Sequence, residues 1–384
     1  MMNTKLKLCW TCLFLLGAVF ALQTGRAVEQ QGSKAAASRP LTPSLLVTLP
    51  DFVATTAGMA VDNRGNLVVA CPNFSDKTKP ACLVRIDKRM QVTRVDLPAL
   101  SETGAICPMG IAFGPDGDLY MCDNQGWTGS EKGQFKGRIL RFRIRDNAIT
   151  STTVVAEGME HPKGLRVRRQ GIYVTQSIMT KARHPSGQPI SALYRFPLDG
   201  RNIKVSNTLD DKNIVAMFLT ENKFCPYGVD GIAFDGKGNL YVGIFGDGKI
   251  HKIVFDTSGG VKSNTVLAKT DFNHTLDPKD AGFLAKATAA KMRTVSGLWA
   301  DGSDNVYAAD FSNNAVVKVS SKGDAIVLAQ NADTDGRGGE LNEPGDVVVW
   351  EDMLVISNFD ILFGPDKVNT KHDLPATLSA LKLK

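Results

Sequence analysis

The 384-residue sequence lacks the short motifs that mark the common catalytic sites. It has no GxSxG nucleophile motif, no HExxH zinc motif and no phosphate-binding P-loop, so it gives no support to the enzyme classes built on them. Its five histidines do not cluster along the chain. A site must therefore be sought through the predicted fold.

The sequence also has little excess of positive over negative charge and few long apolar runs. The formal net charge is +6, and a mild basic excess of this size does not indicate a nucleic-acid partner. The longest apolar run, LCWTCLFLLGAVFAL, follows Lys5 and Lys7 and precedes small residues that end at Ala27, the pattern of a secretory signal peptide. We therefore expect residues 1–27 to be cleaved and the protein to be exported to the periplasm or beyond, with no membrane contact afterwards. Residues 28–43, which are small, polar and Pro-bearing, are predicted to be a linker.

Cysteine is sparse in the mature chain. Five cysteines remain after cleavage: Cys71, Cys82, Cys107, Cys122 and Cys225. None lies in a CxxC or similar context, which argues against a catalytic thiol. In an oxidising compartment Cys71 could pair with Cys82 and Cys107 with Cys122, which would leave Cys225 unpaired.

One short pattern recurs six times. Each copy has a glycine, an apolar strand, a turn rich in Asp, Asn and Gly, and a second strand eight or nine residues on. The copies start at Gly58, Gly110, Gly164, Gly231, Gly297 and Gly345. Third and fourth strands follow most copies, so the repeat predicts the four-stranded blades of an all-β, six-bladed β-propeller over residues 44–384.

The last repeat predicts how this ring closes. The chain stops at Lys384 directly after a third strand, whereas the strand SLLVTLP at residues 44–50 precedes the first hairpin and has no blade of its own. If residues 44–50 complete the last blade, the two ends of the propeller join and an unpaired sheet edge disappears. An open six-unit solenoid, the alternative, does not explain why one end lacks the strand that the other has in excess.

Two sets of residues are expected at one end of the central channel, because antiparallel pairing places the start of each first strand beside the end of each second strand. The set before each first strand includes Lys163 and Asp230. The set after each second strand is acidic and amide-rich: Asn73, Asp76, Asp123, Asn124, Gln176, Ser177, Asp247, Asp310, Asn313, Asn314, Asn358 and Asp360. Such oxygen ligands suit calcium or magnesium, although Asn and Asp are also common turn formers.

The same end of the channel should carry the substrate-binding groups. Long connections at residues 205–228 and 271–295 are expected to form a lid on this rim, with a short helix in the second. Tyr227 and His274 are candidates to line the pocket beneath it, together with Asn124, Asn313 and Asn358. His161 and His184 also lie near this end, either as bases or as solvated loop residues.

The repeat resembles the six-bladed family of gluconolactonases, senescence-marker proteins and luciferin-regenerating enzymes, whose blades are similar to NHL repeats. The likeness is carried by YGVDGIAFDGKGNLYV and covers nearly the whole mature chain. It implies a divalent cation, most often calcium, on the channel axis, held by a Glu, an Asn and an Asp of three blades. Asp230 matches the Asp, but Lys163 stands at the Asn position and Thr56 stands near the Glu position.

Three interpretations follow from this departure. The first is an exported lactonase or esterase acting on a small ester or lactone, with Asp230 and Lys163 as catalytic residues; in its metal-dependent form a cation is held by Asp230, Asp123 and Asp310. The second is a non-catalytic NHL-like propeller that binds a protein or glycan partner. The third is a metal-free enzyme resembling strictosidine synthase, for which a lysine at the channel is suited.

Overall fold

The protein folds as six small antiparallel sheets arranged in a ring, a six-bladed β-propeller. The computed structural model describes residues 40–100, 102–128, 131–361 and 366–383. Strands are numbered in chain order, and blades in the order of their first strands. The first three blades comprise β2 (Met59–Val61), β3 (Leu67–Cys71), β4 (Cys82–Ile86) and β5 (Val92–Asp96); β6 (Pro108–Phe113), β7 (Leu119–Asp123), β8 (Gly137–Arg145) and β9 (Ala148–Met159); and β10 (Pro162–Arg168), β11 (Gly171–Gln176), β12 (Ile190–Phe196) and β14 (Ile214–Leu219).

The other three blades follow the same plan. They comprise β15 (Val229–Phe234), β16 (Leu240–Ile244), β17 (Lys249–Phe255) and β18 (Val261–Lys269); β19 (Leu298–Ala300), β20 (Val306–Asp310), β21 (Ala315–Val319) and β22 (Ala325–Gln330); and β23 (Pro344–Trp350), β24 (Met353–Asn358), β25 (Thr377–Lys382) and β1 (Ser44–Thr48). The helices are α1 (Phe283–Ala289) and the 3₁₀ turns Gln125–Thr128, Glu131–Gly133 and Phe311–Asn313.

The ring closes as the sequence predicts. Strand β1 pairs antiparallel with β25, from Ser44 opposite Ala380 to Thr48 opposite Thr377. Blade 6 is therefore built from both ends of the propeller. This pairing removes the free sheet edge that an open solenoid would leave.

The Asp–Asn spacing of the repeat explains its first hairpin. Asp235 accepts hydrogen bonds from the backbone N–H groups of Lys237 and Asn239, each at 2.9 Å. Asp62 and Asp301 accept from the residues two and four positions on in the same way. The short Asp side chain thus replaces backbone hydrogen bonds across the turn and connects the first two strands.

The hydrophobic core lies between the blades. Leu67 and Val69 of blade 1 pack in one cluster with Trp350 and Val355 of blade 6. A separate cluster joins blades 4 and 5. Each sheet therefore buries both of its faces against its neighbours, which explains why second strands such as β3, β16 and β20 are buried along their whole length and mostly apolar.

The structure corrects the expectation for residues 205–228. Residues Ile214–Leu219 of this predicted lid form β14, the outermost strand of blade 3, because Leu219 pairs with Ile190 of β12. A two-residue strand, β13 (Ile203–Lys204), also adds in parallel to the edge of blade 2. The helix expected within residues 271–295 is confirmed as α1.

The structure describes only a small part of the N-terminal region for which a signal peptide and a linker are predicted. The signal peptide lies outside the described residues, as do positions 28–39 of the predicted linker. Within positions 40–43, the N–H group of Leu41 donates to the carbonyl oxygen of Leu328 at 2.6 Å. In the part of the chain that the structure describes, no helix has the length and apolarity that crossing a membrane requires.

Candidate functional site

Lys163 and Asp230 are brought to the channel by irregular strand starts. The pairing register shifts between Pro162 and Leu165 in blade 3, and between Val229 and Ile232 in blade 4. Similar shifts occur in blades 2 and 6. A β-bulge changes the direction in which its side chains point. The residue before each repeat glycine therefore does not have to follow the in-and-out alternation of the strand.

The repeat glycines allow the first strands to approach one another closely. A Cβ atom on Gly164 would collide with the carbonyl oxygen of Asp230, and one on Gly231 would collide with that of Ser296. Between these strands lies a small cavity of about 30 Å³, bordered also by Arg166 and Asp346. The channel is thus nearly filled below Lys163 and Asp230, so a ligand reaches them from one end.

Lys163 and Asp230 form a buried ion pair. Their Nζ and Oδ1 atoms lie 3.3 Å apart, and the side chains are 10% and 8% exposed. Burial raises the pKa of the Asp230 carboxyl group, and the ammonium of Lys163 opposes this rise. The Lys163 Nζ atom also lies 5.3 Å from the centre of the Trp127 ring and 5.8 Å from that of Phe359.

A cavity of about 590 Å³ opens above this pair. Its size is within the range of small-molecule sites. The described residues that line it are Phe74, Lys77, Gly126, Trp127, His161, Lys163, Phe224, Cys225, Pro226, Tyr227, Asp230, Phe245, Ser296, Phe311, Phe359, Ile361, Asp366 and Lys367. Residues 224–227 of the predicted lid therefore line the cavity. No described residue of the second predicted lid segment, 271–295, does so.

Aromatic rings form most of the cavity wall and contact one another. Trp127 packs edge-on against Tyr227 and Phe359, with ring centres 6.0 and 6.3 Å apart. His161 packs edge-on against Tyr227 at 6.3 Å, and burial lowers its pKa to about 4. The His161 imidazole is therefore neutral at physiological pH, and its buried Nδ1 atom has no hydrogen-bond partner among the residues that the structure describes.

A second group of charges lies in the wall of the cavity. Asp366 accepts from Lys367, with Nζ and Oδ1 2.7 Å apart, and from Arg293, with Nη2 and Oδ2 3.1 Å apart. Nearby, Glu343 is buried and its Oε2 atom accepts the N–H group of Ile361 at 2.7 Å. Burial raises the pKa of Glu343 to about 8, so this carboxyl group is mostly protonated at neutral pH.

The polar residues at the ends of the second strands make the same hydrogen bond in every blade, which we call the clip. In each blade the side chain accepts a backbone N–H from the segment just before the first strand of the same blade. The acceptor and donor residues are Asn73 and Ala54, Asp123 and Cys107, Gln176 and Glu160, Asp247 and Glu221, Asp310 and Arg293, and Asn358 and Asn342, at 2.7 to 3.0 Å. These oxygens satisfy loop donors that would otherwise be buried without a partner.

The contacts of the three carboxylates do not fit a shared cation. Asp123 is paired with Arg138, whose Nε atom lies 2.7 Å from Asp123 Oδ2. Asp310 holds the N–H groups of Arg293 and Thr294 and the Thr294 hydroxyl. Beside Asp230, the ammonium of Lys163 already supplies a positive charge. Across the described residues, no three His, Cys, Asp or Glu side chains are grouped closely enough to hold a metal ion. The metal role of these aspartates stays a prediction.

Only one of the predicted substrate-binding residues lies at the cavity, and most of the others form hydrogen bonds elsewhere in the protein. Tyr227 lines the cavity. Asn358 donates to Thr377 and Ser379 within its blade, and Asn313 donates to the Ala287 carbonyl of α1 at 2.8 Å. His274 contacts Asn222 and the Asp247 carbonyl.

Asn124 differs from the other predicted asparagines. It is fully buried, and within the described part of the chain neither of its side-chain polar atoms has a hydrogen-bond partner. Asn124, Asn313, Asn358 and His274 do not line the cavity, so of the five predicted substrate-binding residues the structure brings only Tyr227 to it.

Sequence reasoning missed the aromatic wall, although a signal for it was present. In blades 1, 5 and 6 the clip residue is followed directly by phenylalanine: Asn73-Phe74, Asp310-Phe311 and Asn358-Phe359. Phe245 and Trp127 also follow second strands, those of blades 4 and 2. An aromatic residue recurring just past an apolar strand, where a loop should be polar, marks the same end of the channel in five blades.

Comparison with known proteins shows the fold. No protein-family model matches the chain, and no curated protein matches its sequence. A gluconolactonase from Xanthomonas campestris is similar in structure with a TM-score of 0.50 and 15% identity, covering 91% of this chain and 96% of that one. The calcium-binding protein regucalcin from Agrobacterium tumefaciens gives 0.52 and 11%, over 89% and 94%.

A third similar structure has a different chemistry. The aldose sugar dehydrogenase of Streptomyces coelicolor, in its PQQ-bound form, gives a TM-score of 0.53 and 16% identity, over 90% of this chain and 99% of that one. Hydrolytic, calcium-binding and redox proteins thus share this ring. The likeness establishes the six-bladed fold, and the chemistry has to be argued from the cavity.

Proposed function

We propose that the protein is an exported hydrolase of the lactonase or esterase type that acts on a small ester or lactone without a metal ion. The observation that carries the proposal is the buried pair of Lys163 and Asp230 at the inner end of the cavity. Gluconolactonases with the same fold support the reaction class. The ammonium at the place where the resemblance implies an Asn ligand supports the metal-independent form.

The two side chains take separate roles in this hydrolysis. The Lys163 ammonium donates to the carbonyl oxygen of the substrate and stabilises the negative charge that develops there. Asp230, whose pKa is raised by burial, accepts the proton of the attacking water. When the bond from the carbonyl carbon to the leaving oxygen breaks, the protonated Asp230 returns that proton to the leaving group, and the ion pair is restored.

Turnover of a panel of esters and lactones, measured with and without a chelator, tests this function. We expect hydrolysis that EDTA does not reduce and that Lys163→Met lowers by at least about a hundredfold, the size of losing one oxyanion donor. Loss of turnover in EDTA with recovery on added calcium would establish the metal-dependent form instead. No turnover of any member of the panel would favour a non-catalytic propeller that binds a protein or glycan partner.

Export is part of the same proposal and has its own test. The apolar run after Lys5 and Lys7 supports cleavage after Ala27. We expect N-terminal sequencing of the protein recovered from its native host to begin at Val28 and fractionation to place it outside the cytoplasm. A cytoplasmic protein that retains residues 1–27 would contradict export and leave the hydrolase proposal standing.

A further inference from the structure

We infer that the cavity selects a planar aromatic ester or lactone rather than a sugar lactone; the inference rests on the proposed function for the identity of the reacting carbonyl. Eight of the eighteen described lining residues carry an aromatic ring. Among the described lining residues there is no Asn, Gln or Thr, the neutral side chains that commonly bind sugar hydroxyls.

The few neutral polar groups on the wall do not supply what a sugar needs. Ser296, the one serine among the described lining residues, donates its hydroxyl to the Gly345 carbonyl at 2.8 Å. The Tyr227 hydroxyl and His161 remain, and both rings are already packed against Trp127. A sugar lactone bears a hydroxyl on nearly every carbon, and each hydroxyl buried here without a partner would weaken binding.

The arrangement of rings matches an aryl group instead. Aromatic pairs favour edge-on and offset contacts at 4.5 to 7 Å, and the wall is built from contacts of this kind. Phe74 lies 5.9 Å from both Trp127 and Phe359, and Phe311 lies 5.8 Å from Phe245. A planar aryl ring entering the cavity can take the same edge-on and offset contacts with these rings.

The position of Lys163 connects this wall to the reacting group. The Trp127 and Phe359 rings are the ones that lie over the Lys163 ammonium. An aryl group packed against them therefore places a carbonyl attached to it within reach of the Nζ atom. The cavity of about 590 Å³ accommodates a one- or two-ring ligand of this type.

Binding of two ketones of matched carbon skeleton tests the ring preference without requiring turnover. Acetophenone and cyclohexyl methyl ketone have the same carbon count and the same carbonyl group, and neither can be hydrolysed. By calorimetry on the mature protein, we expect acetophenone to bind about tenfold or more tightly than its saturated counterpart. We expect D-glucono-1,5-lactone to bind more weakly than either ketone. Equal binding of the ketones, or tighter binding of the sugar lactone, would overturn the inference.

A pair of tryptophan variants locates the preference. Trp127→Leu should bring the affinity ratio of the two ketones close to one. Trp299→Leu is the matched control: Trp299 packs against Tyr307, outside the cavity lining, and its replacement should leave the ratio unchanged. Phe245→Leu provides a second wall variant if Trp127→Leu does not fold. A ratio that neither wall variant changes would contradict the assigned site.

Turnover then separates this inference from the proposed function. Benzyl acetate should be hydrolysed with a kcat/KM at least tenfold above that of cyclohexylmethyl acetate, because the two esters have leaving groups of similar basicity and differ mainly in the ring. Aromatic preference in ketone binding with no hydrolysis of any ester would refute the hydrolase function while leaving the aromatic ligand class in place. Hydrolysis of both esters at equal rates, with equal ketone binding, would refute the aromatic preference alone.

Discussion

The ammonium of Lys163 in blade 3 lies 3.3 Å from the carboxylate of Asp230 in blade 4, and both side chains are almost entirely buried. Each charge has the other as its counter-ion in the same small space. Removing one partner therefore leaves the other charge buried without a counter-ion, whereas removing both together does not. This relationship gives the first prediction, which concerns stability as well as activity.

Asp230→Ala should destabilise the fold by about 3 to 5 kcal/mol, because it leaves the Lys163 ammonium buried without a partner. The double variant Lys163→Met/Asp230→Leu should recover most of this loss and remain without hydrolytic activity. Urea unfolding of the three proteins, beside ester turnover, measures both effects. A double variant as unstable as Asp230→Ala would show that the pair is not coupled in this way.

The clip of blade 2 should be a structural feature independent of activity. Asp123 is buried beside Arg138, so Asp123→Ala leaves a guanidinium uncompensated and should cost about 3 to 5 kcal/mol. The matched control is Asp96→Ala, because Asp96 pairs with Arg94 on the surface and its side chain is 78% exposed. Thermal unfolding should distinguish the two variants clearly. A change in calcium affinity for Asp123→Ala, without loss of stability, would instead favour its predicted role as a ligand.

Glu343 should make the protein less stable as the pH rises. Its pKa is about 8 in the fold and near 4.5 when unfolded, so the unfolded chain loses this proton first. The stability it contributes is complete below pH 4.5 and is lost between pH 4.5 and 8. Glu343→Gln removes this titration and keeps an oxygen for the Ile361 N–H group, so it should raise the melting temperature at pH 8 by roughly a few degrees and have little effect at pH 4.5. Equal melting temperatures at pH 8 would contradict the raised pKa.

His161 should act in the opposite direction. Its pKa falls from 6.5 to about 4 on burial, so the unfolded chain takes up a proton that the folded protein does not. Stability should therefore be lost as the pH drops from 6.5 to 4, by on the order of 1 to 2 kcal/mol at pH 5. His161→Leu should lose less stability than the parent protein between pH 7 and pH 5. Differential scanning calorimetry at the two pH values makes the comparison, with His184→Leu, at a half-buried loop position away from the aromatic wall, as the control.

The architecture could be predicted because short, local sequence patterns determine it. The six glycines, the Asp–Asn hairpin turns and the missing last strand each depend on neighbouring residues or on a simple count, and they led to the ring and to its closure through β1 and β25. They also placed Lys163 and Asp230 together, because a ring with equivalent blades fixes which residues share an end. What the pattern did not reveal was the outer strand β14, because its sequence IVAMFL lies within a segment predicted as a long connection, although the turn-forming residues Asp211 and Asn213 precede it.

The site was predicted only in part because its chemistry depends on partners that are distant in the sequence. The acidic and amide residues after the second strands suggested metal ligands, but their oxygens bind loop N–H groups of the same blade, as Asp310 does for Arg293 and Thr294. The aromatic wall draws its rings from separate blades, so rings such as Phe74 and Phe311 become a signal only when the ends of the second strands are compared across the blades.

The sequence by itself thus determined the fold, the closure of the ring and the end of the channel where Lys163 and Asp230 lie, since backbone hydrogen bonding and strand alternation are repeated and local. The tertiary structure decided which polar groups remain available and which are already used. It also decided that the cavity is lined by rings. The physical reason is that burial and hydrogen-bond satisfaction belong to the assembled blades, and no single repeat contains them.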